Sequence, residues 1–63
     1  MNDIEALVER VRAEFREMPG LHLTPAQAMR LWGLELDTCR QVIDELVAAA
    51  FLRWTPGGAV RRT

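Results

Sequence analysis

Apolar residues recur along the first third of the chain at spacings of three and four: Ile4, Leu7, Val8, Val11, Phe15 and Met18. At 3.6 residues per turn these positions share one face, the apolar stripe of an amphipathic α-helix. Asn2 followed three residues later by Glu5 predicts a capping-box start, and Pro19-Gly20 predicts a stop. A first helix is therefore expected over about residues 3–18. Its polar positions set Arg10 against Glu14 and Glu9 against Arg12, which suits a solvated face. A helix of this length needs a partner to bury its stripe.

The pattern then breaks and restarts. Leu21 and Leu23 alternate as in a short strand. Thr24-Pro25-Ala26-Gln27 is a start signal: the threonine caps, the proline takes the first helical position and the glutamine completes the box. This predicts a second helix over about residues 25–32, closed by a left-handed Gly33. Asp37 is expected to cap a third helix over about residues 38–50. Its Cys39, Val42, Ile43, Leu46 and Val47 share one face, and Thr38, Arg40, Gln41, Asp44, Glu45 and Ala48 the other. Two helices joined by a short glycine-containing turn make a helix-turn-helix candidate.

The last segment, FLRWTPGGAVRRT, reads as a hairpin over about residues 51–62. A three-residue Pro56-Gly57-Gly58 loop with one left-handed glycine pairs Trp54 with Val60, Arg53 with Arg61 and Leu52 with Arg62. Leu52, Trp54 and Val60 then point one way, and Arg53 and Arg61 the other. A two-residue loop would scatter the apolar residues over both faces, so the hydrophobic pattern selects the first register. That register sets two arginines opposite each other, which is mildly unfavourable unless an anion lies across them.

Composition narrows the chemistry. Sixty-three residues make one domain, and a chain this short buries only roughly 60% of its unfolded surface. The content of 49% apolar and 27% charged residues is that of a folded protein. No apolar run reaches a membrane span, and the N-terminus has no basic start followed by an apolar stretch, so a cytoplasmic protein without membrane contact is expected. The single Cys39 and single His22 give neither a disulfide nor a metal site, and no cofactor is expected. Serine, tyrosine and lysine are absent, which removes most nucleophiles and general bases, so an enzyme is not expected.

The net charge of −1 gives no long-range attraction to nucleic acid, but residues 1–19 carry −2 and the remainder +1. Every basic residue is arginine, which suits phosphate and guanine edges. A coding bias would produce the same composition.

From Leu23 onward the order of elements resembles the winged helix-turn-helix domains of bacterial transcription regulators. LTPAQAMRLWGL matches the first helix and turn, DTCRQVIDELVAAAFL the recognition helix and its exit, and RWTPGGAVRR the wing. The resemblance implies a mainly α fold with a small antiparallel sheet, a three-helix winged helix-turn-helix over residues 1–63. Two positions depart from the pattern. Met29 stands where the family usually has alanine, implying a wider helix crossing or a hole filled by a flexible side chain. Ala50 stands where a glycine usually ends the recognition helix, so it either takes a strained conformation or shifts the helix end.

On this reading Thr38, Arg40 and Gln41 are the candidates for the major groove of double-stranded DNA, arginine taking guanine O6 and N7 and glutamine adenine N6 and N7. Arg53, Arg61 and Arg62 are the candidate wing contacts to phosphates. With four to six arginines engaged, log affinity would fall against log salt with a slope of roughly −4 to −5. A homodimer through the first helix is expected, since one such module buries little DNA surface. The alternative is a protein-interaction module on the same scaffold, in which Asp44 and Glu45 turn the third helix away from DNA. Trp32 and Trp54 are expected in the core and Cys39 as a small apolar filler. His22 stands alone and carries no pattern.

Overall fold

The computed structural model describes residues 3–63. Helix α1 (Ile4–Glu17) is followed by α2 (Pro25–Trp32), α3 (Leu36–Ala48) and the antiparallel strands β1 (Leu52–Trp54) and β2 (Val60–Arg62). The chain is thus mainly helical, a helix-turn-helix followed by a wing-like hairpin.

The expected Asn2 cap lies outside the described residues. Asp3 caps α1, its carboxylate accepting from the Ala6 N–H at 3.1 Å. The α1 stripe divides along its length. Val11 and Phe15 are buried, Ile4, Leu7 and Val8 are half-buried, and Met18 is exposed beyond the helix end.

Helix α2 begins with the full capping box: Gln27 N–H donates to Thr24 Oγ1, and Thr24 N–H donates to Gln27 Oε1. Gly33 ends it at φ 64°, as expected. The fully buried small residue of this helix is Ala28, and Met29 is half-buried at the margin of the core. Position 28, not 29, therefore supplies the small side chain that close approach of a helix needs.

Helix α3 starts earlier than expected. The left-handed Gly33 and an extended Glu35 (φ −71°, ψ 159°) reverse the chain quickly, so Leu36 is already helical and Asp37 lies in the first turn instead of capping it. Its C-terminus resolves the two alternatives at Ala50, because the helix ends at Ala48 and Ala50 takes φ 60°. Phe51 N–H donates to Leu46 O at 3.0 Å and Ala50 N–H to Val47 O at 3.0 Å. These are the two bonds of a Schellman motif, here built without its usual glycine. Thr63 closes the same turn, its hydroxyl donating to the Phe51 and Ala50 carbonyls.

The hairpin takes the register that the hydrophobic pattern selects: Leu52 opposite Arg62, Arg53 opposite Arg61 and Trp54 opposite Val60. Gly58 is the left-handed loop residue at φ 83°, and Thr55 holds the loop, its N–H donating to the Ala59 carbonyl and its carbonyl accepting from the Gly58 N–H. The short strand expected at Leu21 and Leu23 is reduced to one bridge, in which Leu23 and Val60 exchange both backbone hydrogen bonds.

The core gathers Val11 and Phe15 of α1, Ala28 and Trp32 of α2, Cys39, Val42, Ile43 and Leu46 of α3, and Leu23, Leu52 and Val60. Phe15 meets Trp32 edge to face at 6.2 Å, a favoured aromatic geometry. Trp54 departs from expectation. Although it shares the face of Leu52 and Val60, it is 46% exposed. The sheet has two strands, extended only by the Leu23 bridge at Val60, and Trp54 lies at its loop end, where it borders Pro25, Leu36 and Ile43 without being enclosed.

Candidate nucleic-acid interface

The apolar face of α3 is fixed by Cys39, Val42, Ile43 and Leu46, all buried, which leaves the opposite face to solvent. Arg40 and Gln41 stand on that exposed face in the first half of the helix, and Thr38 is half-buried beside them. A shallow depression of about 440 Å³ runs along it, lined by Asp37, Arg40, Gln41, Asp44, Glu45 and Ala48. Three carboxylates thus surround one guanidinium. Glu35 makes no side-chain hydrogen bond to the start of α3, so the first amide N–H groups have no side-chain acceptor and face the region where an anion is favoured.

The wing meets this surface through Trp54. Its indole lines a cavity of about 330 Å³ with Pro25, Leu36, Arg40, Ile43 and Asp44. Arg40 borders both hollows. Beside Trp54 in sequence, Arg53 is exposed on the outer face of the hairpin, with the half-buried Arg61 opposite. Arg61 Nε is shielded and has no hydrogen-bond partner.

Of the six residues picked out in the sequence, Arg40 and Gln41 adjoin on one helix, and Arg53 and Arg61 adjoin on the wing. Arg62 is not with them. Its register opposite Leu52 turns it to the other face of the hairpin, where its guanidinium lies 5.1 Å from the centroid of Phe51. Arg12 and Arg16 of α1 reach the same ring, at 5.2 and 5.9 Å. Neither was a candidate in the sequence. Their i,i+4 spacing was visible, but the ring they share lies 35 or more positions away and only the fold brings it near.

Cys39 is wholly buried, its thiol 3.8 Å from the Pro25 carbonyl, and burial pushes its pKa up. A thiol held in its neutral form is a filler, not a nucleophile. Among the described residues no cluster of acidic, histidine or cysteine side chains is arranged to hold a metal, and no helix is long and apolar enough to cross a membrane. Comparison with protein-family models, curated proteins and solved structures returned no match.

Proposed function

We propose that this protein binds double-stranded DNA, with α3 in the major groove and the outer face of the wing on the phosphate backbone, as in the transcription regulators that its sequence resembles. The observation that carries the reading is the continuity of the surface. Arg40 lies between the exposed face of α3 and the Trp54 cavity, so the helix and the wing adjoin at Trp54, with Arg53 and Arg61 on the hairpin's outer face. Arg40 and Gln41 supply the base-reading donors and acceptors, with Thr38 beside them. Arg53 and Arg61 position the hairpin without reading sequence.

With Arg62 turned to Phe51, the arginines assigned to DNA are Arg40, Arg53 and Arg61, which predicts a salt slope of roughly −3 instead of the steeper one expected for the full set. Buried Val11 and Phe15 are unavailable to a partner. A homodimer through α1 would therefore form on Ile4, Leu7 and Val8, and sedimentation at high concentration tests it.

Fluorescence of Trp54 during titration with random duplex DNA tests the main reading, since Trp54 borders the interface while Trp32 is buried. Saturable quenching at low salt that is lost in Arg40→Ala is the expected result. A second reading is favoured by Asp37, Asp44 and Glu45, which repel phosphate, and by Leu36 and Trp54, apolar and about half exposed beside them. That surface suits a protein partner with a basic rim and an apolar anchor. Absence of DNA binding by the folded protein at low salt selects it.

A further inference from the structure

The second concentration of positive charge lies away from α3's exposed face. Arg12 and Arg16 project from α1 and Arg62 from β2, and all three guanidinium carbons lie 5.1 to 5.9 Å from the centroid of Phe51. One carboxylate pairs with them, Glu9 Oε2 lying 3.4 Å from Arg12 Nε, while Glu5 and Glu45 line the same hollow as Arg12 without forming an ion pair among the described residues. That distance makes an ion pair but not an aligned hydrogen bond, and Arg12 Nε is shielded from solvent with no acceptor. Arg16 and Arg62 form no ion pair among the described residues.

Three cations gathered on one ring repel one another in the free protein. A guanidinium over an aromatic face is held through its π surface, which leaves the N–H edges free to donate. Phe51 therefore gathers the three guanidinium groups before any ligand arrives, which lowers the ordering cost of binding. The Glu9 carboxylate reaches only one fork, whereas the tetrahedral oxygens of a phosphate group can accept from several.

We propose that Arg12, Arg16 and Arg62, oriented by Phe51, form a phosphate-binding site whose ligand is a phosphate ester, carried by a free nucleotide or by a nucleic-acid backbone. Phe51 follows the C-terminal end of α3 and Arg40 lies near its start, which separates the two sites by most of a helix of about 20 Å. The proposal stands independently of the α3 interface.

NMR of the arginine Nε–H groups in the full chain tests it, with pyrophosphate, ATP or a short random duplex added at constant ionic strength. The signals of Arg12, Arg16 and Arg62 shift saturably with pyrophosphate, while those of Arg40 and Arg53 stay. Arg16→Lys with Arg62→Lys keeps the charge but loses two forks, and affinity falls roughly tenfold. Phe51→Leu keeps all three arginines and also weakens binding, because the platform is gone. Saturation of the three signals by ATP but not by the duplex identifies a free nucleotide, and the converse identifies the backbone. Shifts that never saturate, or that spread equally over every arginine, overturn the proposal, as does tighter binding of an oligoglutamate peptide than of pyrophosphate.

Discussion

Arg53 lies directly across the hairpin from Arg61, in the register that buries Leu52 and Val60 on the opposite face. The apolar pair sets the register, since a slip of one residue would put Leu52 and Val60 on opposite faces and turn one of them to solvent. The like-charge pair is tolerated at a cost of a few tenths of a kcal/mol. Arg53→Glu therefore has opposite effects on fold and function. Urea unfolding gives a gain of roughly 0.2–1 kcal/mol from the new cross-strand pair, while duplex affinity falls. A less stable variant with undiminished DNA binding would contradict both assignments.

Ala50 carries a left-handed conformation at φ 60° at the exposed exit of α3. That conformation costs a residue with a Cβ about 1–2 kcal/mol, and glycine's larger unfolded-state entropy returns about 0.4–1 kcal/mol of it. Ala50→Gly is expected to raise stability in urea by roughly 0.5–1 kcal/mol, with the Schellman bonds unchanged. A loss of stability would show that the turn is not strained.

The two tryptophans separate sharply. Trp32, 6% exposed and packed on Phe15, is core. Its replacement by alanine costs about 3–5 kcal/mol, most of the stability available to a domain of this size, and leaves the chain largely unfolded by circular dichroism. Trp54→Ala costs about 1 kcal/mol, in the range of a partly packed surface residue, and keeps the native spectrum. Equal losses would place Trp54 in the core after all.

Burial of Cys39 raises its pKa above the ordinary value of 9.0. Above that pH the unfolded chain releases a proton that the folded chain retains. The contribution of this group is thus complete below pH 9 and is lost as pH rises through the folded pKa. Urea midpoints are expected to fall above pH 9 in the wild type and to fall less in Cys39→Ala. A thiol reagent at neutral pH is expected to label the protein only as it unfolds; rapid labelling of the native state would contradict the burial.

Much of the architecture was legible because each element carries its own local signal. The α2 capping box, Gly33 and the hairpin register follow from neighbouring residues whose chemistry permits few alternatives. The exposure of Trp54 has no local signal, because it depends on how far the sheet extends, and the Leu23 bridge that extends it is a contact across 37 positions. The start of α3 was placed late because Asp37 is a better capping residue than Glu35, yet the tight turn after Gly33 decides where the helix begins. At the candidate site, Arg40, Gln41, Arg53 and Arg61 could be assigned to faces by periodicity. The same register puts Arg62 on the face of Leu52, but its neighbours there, Arg12, Arg16 and Phe51, come from α1 and the exit of α3 and carry no local signal.

Whether α3 and the wing act as one DNA-binding surface is decided by affinity for random duplex DNA across a salt series. Wild type and the Arg53→Ala/Arg61→Ala double variant are compared. Saturable binding at low salt is expected, with a wild-type slope of roughly −3 that is reduced by about 2 in the double variant. No binding by the folded wild type at the lowest salt, or the same slope in both proteins, would contradict that reading.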